Sequence, residues 1–202
     1  MITVVNYGAG NLRSVTNTLE ALGADYEVTQ EAGAVEAARA VILPGVGHFG
    51  QMMDALDRLG LREALEGKAR SGAPLLGICL GLQAMFEASE EAPEQKGLGL
   101  FPGAVRRFPA GVRCPHMGWN TVRAVRPSRL LEGFSGAPYF YFANSYYCPA
   151  GPHAAAVCEY GTEFCALLES GNVFGVQFHP EKSGPAGLRM MRNFLRAAGA
   201  AE

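Results

Sequence analysis

The sequence of 202 residues has little charge: Asp, Glu, Lys and Arg make up 18% of it, against about 25% in average soluble domains. A basic excess is also lacking, because 19 acidic residues stand against 17 basic ones and leave a net charge of −2. Proteins that bind nucleic acids carry such an excess, so the charge balance argues against a nucleic-acid partner. The hydrophobic share of 49% equally argues against an intrinsically disordered chain.

Long apolar runs and paired cysteine motifs are missing as well. No run approaches the roughly 20 apolar residues of a membrane-spanning helix, and Met1–Asn6 lacks the basic region and cleavage site of a signal peptide. The five cysteines are odd in number and none pair at C-x-x-C spacing, which argues against a zinc or redox site. We therefore expect a cytoplasmic protein with free thiols, no metal and no membrane association.

What the sequence does contain is a change of pattern between its two halves. The length fits one domain, which we place at residues 1–202. In the first half, predicted strands alternate with predicted helices, and Pro44 is expected to end the third strand. These strands are placed at 2–6, 26–29, 40–43 and 74–78, and the helices at 12–22, 35–39, 49–70 and 80–88. In the second half, strands are predicted at 105–108, 119–125, 139–147, 154–160, 164–169 and 173–178, before a closing helix at 185–198.

This change of pattern predicts the fold class. Strands that alternate with helices imply a parallel sheet covered on both faces, whereas strands without intervening helices imply antiparallel hairpins. We therefore predict an α/β fold of three layers. A mixed, mostly parallel central sheet is flanked by helices, and the second half adds an antiparallel sheet.

The segment Gly77–Gly81 has the form Gly-x-Cys-x-Gly where a predicted strand meets a predicted helix. Such a turn is strained and lifts its central side chain out at the end of the sheet, so Cys79 is the candidate nucleophile. The helix N-terminus beneath it favours the thiolate, and the backbone N–H of Leu80 points to where an oxyanion would form. The alternative is a small buried cysteine of the core.

The segment His179-Pro180-Glu181 directly follows the last predicted strand. A thiol nucleophile needs a base, and the base needs an orienting group; His179 and Glu181 supply both. Because sites in open parallel sheets lie at the carboxyl ends of the strands, we expect Cys79 and His179 to meet there. A structural histidine at a strand end is the alternative.

The loop Leu43–Gly47 is the third candidate feature, because two glycines flank Val46 and leave its backbone free to turn. The Val46 N–H would then be a second oxyanion donor beside that of Leu80. An ordinary strand-ending turn is the alternative. The other histidines, His48, His116 and His153, have no partner at metal-ligand spacing, so we predict that they bind no metal.

With these motifs the chain resembles the class I (triad) glutamine amidotransferase family over essentially its whole length. The segments Tyr7–Val15 and Pro115–Asn120 are similar in particular to the glutaminase subunits of imidazole glycerol phosphate synthases. The resemblance implies hydrolysis of glutamine to glutamate and ammonia by a Cys79–His179–Glu181 triad without a cofactor. It also implies a heterodimer with a (β/α)₈-barrel cyclase, which uses the ammonia to make imidazole glycerol phosphate and an aminoimidazole carboxamide ribonucleotide in histidine biosynthesis.

The resemblance also implies roles for further positions. The amides of Val46 and Leu80 would hold the oxyanion. Residues that match the glutamine pocket of the family are Gly45, Gln83, Glu91, Asn144, Ser145 and Tyr146, and residues that match its partner interface are Asn11, Trp119, Tyr141 and Lys182. The chain departs from the family at Asn6 and Asn144, where relatives often have Asp and His.

Two other functions stay open at this point. One is another triad amidotransferase, such as the glutaminase subunit of pyridoxal phosphate synthase, against which Pro115–Asn120 argues. The other is a non-catalytic interaction subunit, against which the intact Cys79, His179 and Glu181 argue. We also expect the free subunit to be a poor glutaminase, because the loop Pro44–Gly47 can turn its amide away until the partner binds.

Overall fold

The computed structural model describes residues 1–200, so the last two residues of the predicted domain lie outside the described residues. Thirteen strands and six α-helices make up this part of the chain. The strands are β1 (Ile2–Val5), β2 (Tyr26–Thr29), β3 (Val41–Gly45), β4 (Leu75–Cys79), β5 (Phe86–Ser89), β6 (Phe101–Arg107), β7 (His116–Thr121), β8 (Arg123–Ala124), β9 (Tyr139–Asn144), β10 (Tyr146–Tyr147), β11 (Ala154–Glu159), β12 (Glu163–Ser170) and β13 (Val173–Val176). The helices are α1 (Leu12–Ala21), α2 (Ala32–Ala37), α3 (Phe49–Arg58), α4 (Leu61–Arg70), α5 (Leu80–Ala84) and α6 (Gly184–Ala197).

The centre of the fold is an eight-stranded sheet in the order β2-β1-β3-β4-β13-β12-β11-β8. Its first five strands run parallel, and the remaining three continue antiparallel. Two small sheets lie outside it: β10-β6-β5, and the antiparallel ribbon β7-β9. This mixed, mostly parallel sheet with additional strands from the second half confirms the predicted fold class.

The central sheet is covered on both faces, because its buried strands alternate their side chains between two cores. In β3, Val41 and Leu43 belong to the core under α2, α3 and α4, whereas Ile42 belongs to the core under α1 and α6. The three predicted layers are therefore present. Within residues 1–200, no helix is both long and apolar enough to cross a membrane.

Several predicted boundaries are wrong, and the helix predicted at 80–88 is the clearest case. The helix α5 ends at Ala84, and the next residues form β5, which pairs with β6. Apolar residues such as Phe86 satisfy either pattern, and pairing with a strand that lies later in the chain decides between them. The helix predicted at 49–70 divides at Gly60, whose positive φ of 65° breaks the helical path.

The strands also differ from the prediction in detail. Pro44 does not end β3, because the ladder continues until Gly45 pairs with Cys79. The strands predicted at 119–125 and 139–147 are each split in two. The strand predicted at 173–178 is not only part of an antiparallel hairpin, because β13 also runs parallel to β4. This last pairing is the one that matters for the site.

Candidate active site

Cys79 and His179 follow neighbouring parallel strands of the central sheet. Cys79 ends β4, and β13 lies beside β4 with Val176 paired to Ile78. His179 comes three residues after the end of β13. Because carboxyl ends of parallel strands meet at one edge of a sheet, the two side chains converge although 100 positions separate them in the sequence.

The backbone at Cys79 has the strained conformation that the Gly-x-Cys-x-Gly motif predicts. Its φ of 54° makes it the one residue other than glycine with a positive φ among residues 1–200. The helix α5 begins at the next residue, so the sulfur lies at a helix N-terminus. Positive φ is costly for a side-chain-bearing residue, and such strain concentrates at functional sites.

Glycines allow this turn to pack against its neighbours. A Cβ at Gly45 would lie 2.5 Å from the backbone nitrogen of Gly81, and one at Gly77 would lie 2.7 Å from the carbonyl carbon of Gly81. A Cβ at Gly81 itself would overlap the carbonyl oxygen of Leu43. The motif therefore brings β3, β4 and α5 into backbone contact and fixes the position of Cys79.

His179 is oriented by the carboxylate two residues later. Its Nδ1 donates to Oε1 of Glu181 at 2.8 Å, and both side chains are only 3% exposed. The backbone is held as well, because the Ser183 hydroxyl donates to the His179 carbonyl at 2.6 Å and accepts from the Tyr141 N–H at 3.0 Å. The second carboxylate oxygen of Glu181 is buried and has no partner among the described residues.

The charge of His179 depends on its two neighbours. Burial lowers the pKa of His179, but the negative charge and hydrogen bond of Cys79 act against it, and so do those of Glu181. Together they raise the pKa of His179 to about 10. Interactions that favour a charged form outweigh the desolvation that disfavours it. A protonated His179 beside an ionised Cys79 is an arrangement suited to nucleophilic attack by sulfur and proton donation to a leaving group.

The two candidate oxyanion donors, the N–H groups of Leu80 and Val46, differ in whether they already have a hydrogen-bond partner. Leu80 is the first residue of α5, so its N–H belongs to the unpaired first turn of that helix. The Val46 N–H instead donates to the hydroxyl of Tyr7 at 3.2 Å, and the same hydroxyl lies 3.2 Å from the Val46 carbonyl oxygen. Burial, the largest effect, raises the pKa of Tyr7 to about 12, so the phenol stays neutral. The Val46 N–H, the second candidate oxyanion donor, is therefore already hydrogen-bonded to the hydroxyl of Tyr7.

A cavity of about 280 Å³ lies next to Cys79 and His179. Five of the six predicted glutamine-pocket residues line it, namely Gln83, Glu91, Asn144, Ser145 and Tyr146, and Val46, Leu80 and Lys182 line it too. The sixth, Gly45, ends β3 directly before Val46 and packs against the elbow. The structure thus brings the predicted pocket and the predicted nucleophile to one place.

Glu91 and Asn144 each use part of their hydrogen-bonding capacity within the protein. Oε2 of Glu91 accepts the Phe49 N–H at 2.8 Å, at the start of α3. The Asn144 amide nitrogen donates to the Tyr146 carbonyl at 2.9 Å, while its oxygen is buried without a partner among the described residues. An unpaired buried acceptor on a cavity wall is a place for a ligand donor.

Three of the four predicted interface residues lie together on the ribbon β7-β9 and beside it. Trp119 pairs with Tyr141, and their rings meet edge to face at 6.2 Å between centroids. The Lys182 ammonium lies 5.9 Å from the centre of the Tyr141 ring. Trp119 is 55% exposed. Asn11 lies apart from them in the chain, at the start of α1, and this helix packs beside the turn Pro180–Lys182.

Sequence reasoning missed three residues of this site: Tyr7, Gln177 and Ser183. Tyr7 and Gln177 lie inside or next to motifs that were noticed, but their side chains have ordinary core roles in most folds. Gln177 is fully buried and its amide nitrogen lies 3.6 Å from the Cys79 sulfur. Its position in the apolar run predicted as a strand at 173–178 is the available signal, because an amide buried there needs hydrogen-bond partners.

Comparison with known proteins adds a family and relatives. A family model described as "Glutamine amidotransferase class-I" matches residues 3–198. The "Imidazole glycerol phosphate synthase subunit HisH" of Desulfitobacterium hafniense is 50% identical over 196 residues, which covers 96% of this chain and 93% of the relative. The protein of the same description from Methanothermobacter thermautotrophicus is also 50% identical over 196 residues, at 96% and 98% coverage.

Solved structures share the fold at lower identity. One described as "Crystal structure of glutamine amidotransferase" matches with a TM-score of 0.77 and 23% identity, covering 98% of this chain and all of the other (100%). The "Structure of PurLQS from Thermotoga maritima" matches with a TM-score of 0.76 and 21% identity, at 97% coverage of both chains. At this level of identity the likeness shows the fold alone.

Proposed function

Because the chain belongs to the class I glutamine amidotransferase family and, within it, to the HisH subunits of imidazole glycerol phosphate synthases, we propose that Cys79, His179 and Glu181 form its catalytic triad. In this proposal the triad hydrolyses glutamine to glutamate and ammonia. The ammonia goes to a separate cyclase subunit. A single domain carries the whole glutaminase site.

The first chemical step is attack of the Cys79 thiolate on the side-chain amide carbon of glutamine. The carbonyl oxygen becomes an oxyanion, which accepts hydrogen bonds from the backbone N–H groups of Leu80 and Val46. One such donor contributes about 3 to 4 kcal/mol in comparable sites. Protonated His179 then gives its proton to the departing nitrogen, so that ammonia leaves and a glutamyl thioester remains on the sulfur.

The second step releases glutamate. His179, now neutral, takes a proton from a water molecule that attacks the thioester carbon, and the sulfur leaves as a thiolate. Glu181 keeps the imidazole in one orientation through both steps, because its carboxylate accepts from Nδ1. The proposed steps use only these side chains, two backbone amides and water.

The cavity beside the triad is the proposed glutamine pocket. Its unpaired Asn144 oxygen is an acceptor for an N–H of the substrate. Glu91 uses Oε2 for the Phe49 N–H, so Oε1 is left for the α-ammonium group. Gln83, Ser145 and Tyr146 complete the wall of the cavity. Gly45 ends β3 directly before Val46, whose N–H is the proposed second oxyanion donor.

The proposed partner is a (β/α)₈-barrel cyclase that docks on Asn11, Trp119, Tyr141 and Lys182. With the ammonia it makes imidazole glycerol phosphate and an aminoimidazole carboxamide ribonucleotide in histidine biosynthesis, in the cytoplasm. The relatives at 50% identity are described as imidazole glycerol phosphate synthase subunits, which favours this partner over that of a pyridoxal phosphate synthase. The free subunit is proposed to be a poor glutaminase, since the Val46 N–H donates to Tyr7.

One observation carries the proposal: His179 is hydrogen-bonded to Glu181 and interacts with Cys79 at adjoining strand ends. The test is Cys79→Ala in a complex with a (β/α)₈-barrel cyclase. We expect the variant to lose glutamine-dependent synthesis of imidazole glycerol phosphate, because no nucleophile is left. Synthesis from added ammonium salt should continue, because the cyclase site is intact.

The matched control is Cys114→Ala, which removes an exposed cysteine and should leave both activities unchanged. Loss of both activities in Cys79→Ala, with the complex still formed, would show that the cysteine is structural. Retained glutamine-dependent activity would show that the nucleophile is another residue.

A further inference from the structure

The buried side chain of Gln177 makes a contact that the triad does not account for. Gln177 follows β13, is fully buried, and its Nε2 lies 3.6 Å from the Cys79 sulfur. This is a hydrogen-bond distance for a sulfur acceptor. The residue stands directly beside Cys79 because Val176 pairs with Ile78 in the parallel ladder.

A chain of hydrogen bonds determines which end of the Gln177 amide faces the sulfur. The Tyr146 carbonyl oxygen can only accept, so the Gln83 amide must turn its nitrogen toward it, at 2.9 Å. The same nitrogen lies 3.0 Å from the other amide, whose atom at that position must therefore be the acceptor Oε1 of Gln177. The Gln177 nitrogen is then left to face Cys79. The orientation thus follows from a backbone carbonyl and not from an arbitrary choice between amide oxygen and nitrogen.

A donor that faces the sulfur favours the charged form of that sulfur. An N–H can hydrogen-bond a thiolate strongly and a thiol only weakly, since charge-assisted hydrogen bonds are the stronger class. The contact is fully buried, where such a bond is stronger than in water. His179 approaches the same sulfur, so the thiolate has a cationic partner and a neutral one.

We propose, on the basis of the proposed function, that Gln177 is a further catalytic residue: its amide N–H hydrogen-bonds the Cys79 thiolate before attack. Gln83 is the positioning residue that holds this amide in place. Because Gln83 also lines the glutamine pocket, the relay from the Tyr146 carbonyl through Gln83 and Gln177 joins the pocket wall to the nucleophile. When the thioester forms, the sulfur loses its charge and the hydrogen bond weakens. The N–H therefore also favours departure of the sulfur in the second step.

The first test is Gln177→Met, which has nearly the same shape but no N–H donor. Alkylation of Cys79 by iodoacetamide, followed by mass spectrometry across pH, measures how readily the thiolate forms. We expect the pH of half-maximal alkylation rate to rise by about one unit, which corresponds to tenfold less thiolate below that pH. With the cyclase present, the pH at which kcat for glutamine is half-maximal on the acid side should rise by about the same amount, while KM changes little.

The matched control is Asn193→Leu, which removes another buried amide that donates to backbone carbonyls, those of Leu130 and Glu132. It should leave the alkylation profile as in the wild type. An unchanged profile in Gln177→Met, with an unchanged melting temperature, would overturn the proposal. Alkylation needs neither glutamine nor the cyclase, so an inactive wild-type complex would refute the proposed function separately.

A measurement on the unmutated side chain covers the case in which Gln177→Met does not fold. In the full ¹⁵N-labelled chain, the side-chain amide resonances of Gln177 should shift with pH at the same midpoint as Cys79 alkylation. This pH response should vanish in Cys79→Ala. Resonances that ignore both pH and the loss of the sulfur would contradict the proposed hydrogen bond.

Discussion

Two neighbours, Cys79 and Glu181, raise the pKa of His179 against the effect of its burial, and Glu181 can be changed without touching the cysteine. The substitution Glu181→Gln keeps a hydrogen-bond acceptor for Nδ1 but removes a negative charge. We expect the pKa of His179, raised to about 10 in the wild type, to fall by about one to three units, as is typical for loss of a close opposite charge. Histidine ring resonances followed across pH by NMR measure this shift.

The same substitution has a defined pH signature in stability. The pKa of His179 is about 10 in the folded chain and about 6.5 in the unfolded chain, so protonation of His179 stabilises the fold. This stabilisation is complete below about pH 6.5 and is lost as the pH rises to about 10. The stability difference between wild type and Glu181→Gln in urea should therefore be larger at pH 6 than near pH 10. The control is Glu163→Gln, at an exposed carboxylate paired with Arg123. A His179 titration identical in both variants would contradict the assigned role of Glu181.

Tyr7 offers a second test at the scale of one atom. The substitution Tyr7→Phe removes the hydroxyl that accepts the Val46 N–H, so this amide is free to turn toward the cavity. A net hydrogen bond is worth about 1 kcal/mol, and we therefore expect glutamine hydrolysis by the free chain to rise about fivefold. Ammonia release without the cyclase is the measurement.

The matched control for this prediction is Tyr139→Phe, at a tyrosine that is exposed on the ribbon β7-β9. Its free-chain activity should equal that of the wild type. A Tyr7→Phe variant with the same or lower activity in the free chain would show that the hydroxyl does not restrain the Val46 amide.

At the scale of elements, the sequence predicted what depends on local pattern. The strand Tyr26–Thr29 matches its prediction in full, and the closing helix differs by one residue at each end. The junction at Cys79 was predictable because glycines on both sides of a cysteine have a specific steric purpose, which the blocked Cβ positions show. The strand β5 was not predictable from the local pattern, because it is fixed by pairing with β6, fifteen residues further along the chain (Phe86 with Phe101).

The candidate site divides in the same way. Cys79, His179 and Glu181 lie in short motifs, so their residue types and spacing make them candidates from the sequence alone. Tyr7 and Gln177 contact partners across the fold, Val46 and Cys79, which lie 39 and 98 positions away in the sequence. No local pattern reports such a contact, because it exists only once β1, β3, β4 and β13 lie side by side.

The elbow itself can be tested by filling its closest approach. In Gly81→Ala the added methyl group would overlap the Leu43 carbonyl oxygen, so β3 and α5 must move apart. Overpacking of this kind costs about 1 to 3 kcal/mol, and we expect the free energy of unfolding to fall by at least that amount. Urea denaturation measures it.

The control is Gly67→Ala, within helix α4, where a Cβ meets nothing within 4 Å. Alanine is the better helix former, so this variant should gain about 0.5 to 1 kcal/mol. Equal effects of the two substitutions would mean that the close approach at Gly81 is not tight.

Across the molecule, the cavity beside Cys79 and the ribbon β7-β9, with its exposed side chains, adjoin each other. The cavity beside Cys79 is lined by Met117 from β7 and by Ala143 and Asn144 from β9, so the ribbon forms one of its walls. Met117 and Trp119 are 65% and 55% exposed. Clustered exposed hydrophobic side chains mark interaction surfaces. A partner that docks on this ribbon would therefore cover one wall of the cavity beside Cys79.

The substitution Trp119→Ala tests this arrangement. Tryptophan is enriched among interface hot spots, whose removal costs about 2 kcal/mol or more, so we expect the Kd for a (β/α)₈-barrel cyclase to rise about thirtyfold or more. Isothermal titration calorimetry measures the change.

The control is Val125→Ala, at an exposed apolar residue directly after the edge strand β8, and it should bind as the wild type does. Because the ribbon also lines the cavity, saturating cyclase should restore most of the glutaminase activity of Trp119→Ala if the tryptophan serves docking alone. Wild-type affinity in Trp119→Ala would place the partner on another face of the molecule.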